Sequence, residues 1–160
     1  MNIKTERCTI TELQSSDFQE AVNLFTNENV RMYLGGTISK AVAIDKLYSW
    51  TNGEDDLYFS VRISENGDFA GIISITEYYD NRFKELSYQI LPEFWGRGIA
   101  TESISAILEF LKNNTEIKEL IAETQSRNLS SCRLLEKLGF ELIKTVIRFG
   151  ADQNIYKLTL

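Results

Sequence analysis

The alternation of hydrophobic and polar positions predicts β-strands near both ends of the chain and through its middle. Residues 4–13 alternate in this way, and the sequence NGD at residues 66–68 is typical of a hairpin turn between two further strands. The predicted strands are residues 4–13, 56–63, 69–79, 85–91, 118–124, 140–149 and 154–160.

Helical periodicity fills the segments between several of these strands. Ser15, Ser16 or Asp17 can cap the first helix and Ser39 the second, because their side-chain oxygens accept from free amides of a first turn. Gly139 stands where a left-handed residue ends the last helix. The predicted helices are residues 15–26, 39–50, 98–112 and 128–138.

The order of these elements favours a mixed α/β (α+β) fold. Three consecutive strands form an antiparallel meander, and the strand–helix–strand unit that begins at Glu85 requires one parallel pair. Residues 1–160 contain no repeat, linker or low-complexity segment, which predicts a single domain. No apolar run approaches a membrane span and the N-terminus lacks a signal segment, so we expect a cytoplasmic protein without membrane contact.

Charge and composition restrict which ligands and catalytic mechanisms the chain can use. The formal net charge is −6, from 17 basic and 23 acidic side chains, which argues against nucleic-acid binding. An acidic surface suits an amine or a basic peptide, or it serves solubility alone. The chain has no histidine, which excludes Ser-His-Asp and Cys-His catalysis and the common zinc motifs, so no metal is expected. Cys8 and Cys132 are expected to be buried free thiols.

The stretch FWGRGIATESISAILEFL, residues 94–111, places two glycines directly before a helix. The first turn of a helix leaves amide N–H groups unpaired, and glycines remove the bulk that would keep a phosphate away from them. Residues 96–101 are therefore either a phosphate cradle or a turn needed only for packing. The spacing fits neither a P-loop nor the dinucleotide-binding GxGxxG motif.

Two motifs together resemble the GNAT superfamily of acyl-CoA-dependent N-acetyltransferases, and most of all its RimJ/RimL-like branch. The motifs are ELSYQILPEFWGRGIATESI and NLSSCRLLEKLGF, within residues 85–140. The resemblance implies a mostly antiparallel sheet with a splayed parallel pair and about four helices. The matching residues are Tyr88, Pro92, Trp95, Gly96, Gly98, Ala100, Thr101, Glu102, Asn128, Ser131, Glu136, Lys137, Gly139 and Phe140.

The resemblance also implies acetyl-CoA as the cofactor and assigns residues to it. Backbone amides of residues 96–101 would hold the diphosphate, Ile90 and Leu91 would pair with the pantetheine arm, and Asn128 would bind that arm near the thiol. The implied cofactor-binding residues are Ile90, Leu91, Trp95, Gly96, Arg97, Gly98, Ile99, Ala100, Thr101, Asn128 and Ser131.

Three groups are expected to carry the chemistry. The N–H of Leu91 is the predicted oxyanion donor. Glu85 is the predicted general base, acting through water, with Glu77 second and Glu123 third; the alternative is that Glu85 only faces solvent. Ser131 is the predicted acid, or else a bystander in a capped first turn.

Leu135 stands where many relatives in the superfamily carry a tyrosine acid, which is the main departure from the pattern. Residues 15–50 form the acceptor side in that family. Side chains that either line the acceptor site or belong to the core are Asn29, Arg31, Tyr33, Trp50, Tyr78 and Tyr79.

The resemblance implies direct acetyl transfer from acetyl-CoA to a primary amine, within a complex that holds both. The first expectation for the acceptor is the α-amine of a protein or peptide N-terminus. A polyamine, an aminoglycoside or another small amine is the alternative, and a CoA-binding module without catalysis is an alternative of a different class. The protein is expected to be a monomer or a homodimer.

Overall fold

The computed structural model describes residues 1–160 as an open mixed sheet with helices packed against it. No helix combines the length and the hydrophobicity that a membrane crossing requires. The strands are β1 Asn2–Lys4, β2 Cys8–Glu12, β3 Leu57–Ile63, β4 Phe69–Glu77, β5 Lys84–Ile90, β6 Glu119–Gln125, β7 Glu141–Arg148 and β8 Ala151–Thr159. The helices are α1 Phe18–Thr26, α2 Glu28–Arg31, α3 Lys40–Thr51, α4 Ile99–Asn114 and α5 Leu129–Lys137.

The eight strands follow the order β1-β2-β3-β4-β5-β6-β8-β7. Each neighbouring pair is antiparallel except β5 and β6, which run parallel because α4 connects them. The expected mixed α/β fold with one parallel pair is therefore confirmed.

Two elements differ from the prediction. The strand expected at residues 4–13 corresponds to β2, and the short strand β1 precedes it. Thr5 turns the chain between the two by bonding the Cys8 carbonyl through its amide at 2.9 Å and its hydroxyl at 3.1 Å. The fifth helix, α2, was not predicted because four residues are too few to show a period. Asn27 caps α2 by accepting from the amides of Asn29 and Val30.

The first helix also begins differently from the prediction. Ser15, Ser16 and Asp17 form a 3₁₀ turn that precedes α1, and the Gln14 amide donates to Asp17 Oδ2 at 3.0 Å. Ser39 caps α3 as predicted, since its Oγ accepts from the Val42 amide at 3.3 Å.

Helices cover both faces of the sheet, and the strand register shows which face each side chain occupies. Tyr58 of β3 stacks on Trp50 of α3 with ring centroids 4.7 Å apart, which makes Trp50 part of the packed interior. Tyr58 is registered with Ser74 of β4, and Ser74 with Ser87 of β5. Because side chains alternate along a strand, the odd-numbered residues of β5 face α1 and α3, and the even-numbered ones face the other side.

The parallel pair parts soon after it forms. Only Lys84 with Leu120 and Glu85 with Ile121 are registered between β5 and β6. On either side of this opening the sheet continues without interruption, since β5 pairs with β4 up to Ile90 and β6 pairs with β8 along its whole length. The predicted splay is confirmed, and it exposes one backbone edge of β5.

Candidate active site

The glycine turn lies between the end of β5 and the start of α4. Gly96 and Gly98 have φ angles of 70° and 75°, a left-handed conformation that glycine adopts at little cost. Gly98 is the N-cap of α4, and no side chain caps this end. The first helical bond runs from the Glu102 amide to the Gly98 carbonyl at 3.0 Å, so the amides of the first turn have no partner within the helix.

This turn has the chemistry that a diphosphate requires. Residues 96–98 are exposed, and a Cβ placed on Gly96 would meet no atom within 4 Å. The N-terminus of a helix carries partial positive charge, which favours an anion. Arg97 adds a cationic side chain within this turn, and its guanidinium lies 5.5 Å from the Phe94 ring. The free amides and the open space together fit the diphosphate of a nucleotide cofactor.

The backbone of Ile90 and Leu91 differs from the sequence-based expectation. Leu91 donates its N–H to the Ala70 carbonyl of β4 at 2.8 Å, so this N–H is not free and the prediction that it is the oxyanion donor is wrong. The Ile90 carbonyl accepts from the Trp95 indole Nε1 at 2.7 Å, and the Leu91 carbonyl accepts from the Phe94 amide at 3.0 Å. Three of the four polar backbone atoms are thus already bonded.

The remaining atom is the N–H of Ile90. Successive residues of a strand direct their N–H groups to opposite sides. Since the Leu91 N–H points to β4, the Ile90 N–H points to β6, where pairing has already ended at Glu85. A donor therefore faces the opening, one residue before the predicted position.

Glu85 lies on β5 at the start of the opening. It is registered with Ile121, and Glu123 follows two residues later on the same face of β6. The pKa of Glu85 is raised to about 7, mainly by burial and also by the nearby Glu123 carboxylate, with Arg148 acting in the opposite direction. A carboxyl group with this pKa accepts a proton readily near neutral pH.

The other two candidate bases are engaged by cations. Glu123 has a side chain that is 6% exposed, and it forms an ion pair with Arg148, whose guanidinium lies 4.1 Å from the Tyr79 ring centroid. Burial raises the pKa of Glu123, and Arg148 lowers it. Glu77 bonds Lys84 Nζ at 2.6 Å on the surface. Glu85 forms no salt bridge, which distinguishes it from both.

A pair of hydroxyl groups lies on the opposite face of β5. Tyr88 Oη and Ser131 Oγ are 2.5 Å apart, and burial raises the pKa of Tyr88 to about 12. Asn128 fixes the start of α5, because its Oδ1 accepts from the Ser131 amide at 3.2 Å. Tyr88 was matched to a motif but not predicted as a hydroxyl donor, although the alternation along β5 already separates its side chain from that of Glu85. Leu135 is buried.

Several candidate acceptor residues are dispersed. The Tyr33 carbonyl accepts from Gln125 Nε2 at 3.2 Å, which places the segment after α2 at the end of β6. Arg31 Nε instead donates to the Gly36 carbonyl. Tyr78 is buried, whereas Tyr79 is 64% exposed beside it. Asn29 is exposed on α2.

Comparison with known proteins places this arrangement in a family. A family model described as "Acetyltransferase (GNAT) domain" matches residues 7–141, which is most of the chain. A curated relative, the uncharacterized N-acetyltransferase YnaD of Bacillus subtilis, is 24% identical over 139 residues, covering 87% of this chain and 82% of YnaD.

Solved structures agree in fold. A GNAT-family acetyltransferase from Bacillus anthracis superposes with a TM-score of 0.87 at 20% identity, covering 99% of this chain and 98% of that one. Spermidine N-acetyltransferase from Vibrio cholerae gives 0.84 at 18% identity, with 97% and 96% covered. A Salmonella typhimurium acetyltransferase that modifies the N-terminal serine of ribosomal protein L7/L12 gives 0.83 at 15% identity, with 100% and 99% covered.

At these sequence identities the solved structures show only that the fold is shared. The assignment to a family rests on the family model that matches residues 7–141. GNAT acetyltransferases use acetyl-CoA, so the family supports both the expected acyltransferase activity and the expected cofactor. It does not support the alternative of a CoA-binding module without catalysis. The chain therefore belongs to the GNAT acetyltransferase family, and it is an acyltransferase.

Proposed function

We propose that this protein transfers the acetyl group of acetyl-CoA directly to the α-amine of a protein or peptide N-terminus, as a member of the RimJ/RimL-like branch. The observation that carries the proposal is the position of Glu85. It is partly buried at the point where β5 and β6 part, without a salt-bridge partner, and its pKa is raised to about 7.

The cofactor's parts correspond to separate features of the opening. Acetyl-CoA supplies an acetyl group activated as a thioester. The amides of residues 96–101 would hold its diphosphate, and the N–H of Ile90 would donate to the thioester carbonyl oxygen. Asn128 Oδ1 caps α5, which leaves its Nδ2 to donate to the pantetheine arm.

The acceptor amine must lose a proton to attack, and the pKa of Glu85 favours one class of amine. An α-amine has a pKa of about 7.8, so transfer of its proton to Glu85 costs about 1 kcal/mol, whereas a lysine-like amine of pKa about 10.4 costs about 5 kcal/mol. The carboxylate of Glu85 takes this proton directly or through one water. An N-terminal α-amine is therefore the better match.

The leaving sulfur would meet the hydroxyl pair of Tyr88 and Ser131. A thiol has a pKa of about 8.5, below the value of about 12 for Tyr88, so full proton transfer from this phenol is uphill. The pair acts mainly as a hydrogen-bond donor to the sulfur, with Ser131 Oγ as the donating atom and Tyr88 holding it in place.

The test compares host protein N-termini by mass spectrometry in cells with and without this protein. We expect at least one N-terminus to be acetylated only when the protein is present, and a peptide of that sequence to release free thiol from acetyl-CoA with the purified protein. No difference between the two sets of N-termini would contradict the α-amine assignment.

A small polyamine is the second candidate acceptor. The net charge of −6 attracts polycations, and the Vibrio cholerae spermidine N-acetyltransferase has a similar fold. Spermidine is tested beside the peptides in the same thiol-release assay. Faster release with spermidine than with every peptide would favour this candidate over the first.

A further inference from the structure

We infer that Arg7 is a positioning residue, which holds the glycine turn of residues 95–98 in the conformation that presents its amides to a diphosphate. The inference rests on the proposed cofactor site and extends it to the other end of the sequence. Arg7 lies between β1 and β2, 90 residues from the turn it contacts.

The guanidinium of Arg7 joins a carboxylate and a carbonyl. Its Nε donates to Glu102 Oε2 and its Nη1 donates to the Arg97 carbonyl, both at 2.6 Å. Glu102 Oε1 also accepts from the Arg7 amide at 2.7 Å and from Thr5 Oγ1 at 2.5 Å. Glu102 belongs to the first turn of α4, so Arg7 links this helix to the turn that precedes it.

The bond to the Arg97 carbonyl sets the direction of the next amide. A trans peptide is planar, so the carbonyl of Arg97 and the N–H of Gly98 point in opposite directions. Because Arg7 holds the carbonyl on its own side, the Gly98 N–H points away from Arg7. This orientation adds a fourth donor to the free amides of Ile99, Ala100 and Thr101.

Without Arg7, little would prevent this peptide from rotating. Its rotation changes ψ of Arg97 and φ of Gly98, and glycine populates both signs of φ at similar energy. A rotated peptide would present the Arg97 carbonyl to the diphosphate instead of an amide, which exchanges attraction for repulsion. The same freedom that lets the turn form therefore makes an external restraint necessary.

The space around the two glycines shows where that restraint lies. A Cβ on Gly98 would come within 3.1 Å of Arg7 Nη1 and 3.2 Å of Nη2. A Cβ on Gly96 would meet nothing within 4 Å. The guanidinium thus packs against Gly98, and the opposite side of the turn, next to Gly96, stays open to a ligand.

The experiment compares Arg7→Ala with a matched control, Arg62→Ala. Arg62 also bridges a carboxylate and a glycine carbonyl, bonding Asp17 Oδ1 at 2.7 Å and the Gly67 carbonyl at 2.8 Å, but at a distant hairpin. Affinity for CoA is measured by isothermal titration calorimetry. Affinity for pantetheine, which lacks the diphosphate, is measured by NMR titration.

We expect Arg7→Ala to weaken CoA binding about tenfold or more, the usual effect of losing charged hydrogen bonds, and to leave pantetheine binding unchanged. Arg62→Ala should leave both affinities unchanged. Glu102→Gln, which keeps the shape of the side chain, should weaken CoA binding by a smaller factor and serves in place of Arg7→Ala if that variant does not fold.

Other outcomes would overturn the inference. Normal CoA affinity in Arg7→Ala would refute it and leave the proposed function intact. An equal loss for CoA and pantetheine would show that Arg7 supports the fold in general. Full recovery in Arg7→Lys, which keeps the charge but not the two-armed geometry, would assign the effect to attraction alone. If the unaltered protein failed to bind CoA, the proposed function would fail as well.

Discussion

The hydroxyl groups of Tyr88 and Ser131 lie 2.5 Å apart and join the middle of β5 to the first turn of α5. Glu85 precedes Tyr88 by three positions on the same strand and therefore projects from the opposite face. The strand edge between them carries the unpaired N–H of Ile90. A thioester at this edge would have a proton acceptor on one side and a hydrogen-bond donor on the other.

The hydroxyl pair yields the first prediction. Ser131→Ala is expected to lower kcat about tenfold, near the low end for acid–base groups because a thiol is a good leaving group. Tyr88→Phe should have a similar effect, and the double variant should be little worse than either, since the two hydroxyls act as one unit. The measurement is steady-state thiol release. Additive losses, or a raised KM for acetyl-CoA at unchanged kcat, would contradict this role.

Glu85→Gln tests the base. At saturating substrates the rate of the unaltered enzyme should fall below pH 7, as the carboxylate of pKa about 7 takes up a proton. The variant should lose this decrease and be slower by roughly a hundredfold at pH 8, a typical effect of removing a general base. Glu77→Gln, at the surface residue bound to Lys84, is the control. A larger loss in that control would make Glu77 the base instead.

Glu85→Gln should also change the stability of the fold, and this effect can be measured without knowing the acceptor amine. Folded Glu85 has a pKa of about 7 against 4.5 for the model side chain, so between these values the folded state binds more protons than the unfolded state. Stability therefore decreases as pH rises through this range. Glu85→Gln should be more resistant to urea than the unaltered protein at pH 8, with a smaller difference at pH 5. An equal difference at both pH values would contradict the raised pKa.

Gly98→Ala provides the fourth prediction, with Gly67→Ala as its matched control. Both glycines are left-handed, with φ of 75° and 78°, so each substitution should destabilise the fold by about 1 kcal/mol. Only the Cβ at residue 98 meets Arg7, and only that residue adjoins the proposed diphosphate site. CoA binding should weaken in Gly98→Ala alone, as measured by calorimetry, and equal binding in both variants would exclude a cofactor role for this turn.

The sequence predicted what local patterns can encode. The strands of the meander and the helix after Gly98 follow from alternation and periodicity that each segment carries by itself. The resemblance also implied a splayed parallel pair, and β5 and β6 do part after Glu85. Motif spacing brought these residues together because they are close in the chain as well as in space.

What the sequence did not predict depends on contacts between distant segments. Val61 of β3 is registered with Gly71 of β4, and Arg62 of β3 with Phe69 of β4, so Ala70 is an extra residue on β4 at a bulge. The Ala70 carbonyl accepts the hydrogen bond from the Leu91 N–H. No local pattern at Leu91 reports this partner. The contact of Arg7 with the glycine turn is of the same kind, since it joins residues 90 positions apart.

Asn128→Ala gives the last prediction, which separates two roles of one side chain. Asn128 caps α5, and Ser39 caps α3 by accepting from the Val42 amide. Loss of either cap should cost about 1 kcal/mol in chemical denaturation. If the Asn128 amide also binds the pantetheine arm, Asn128→Ala should weaken CoA several-fold while Ser39→Ala leaves it unchanged. The same comparison with pantetheine should show the same loss, because this contact does not involve the diphosphate, and equal CoA affinity in the two variants would reduce Asn128 to a helix cap.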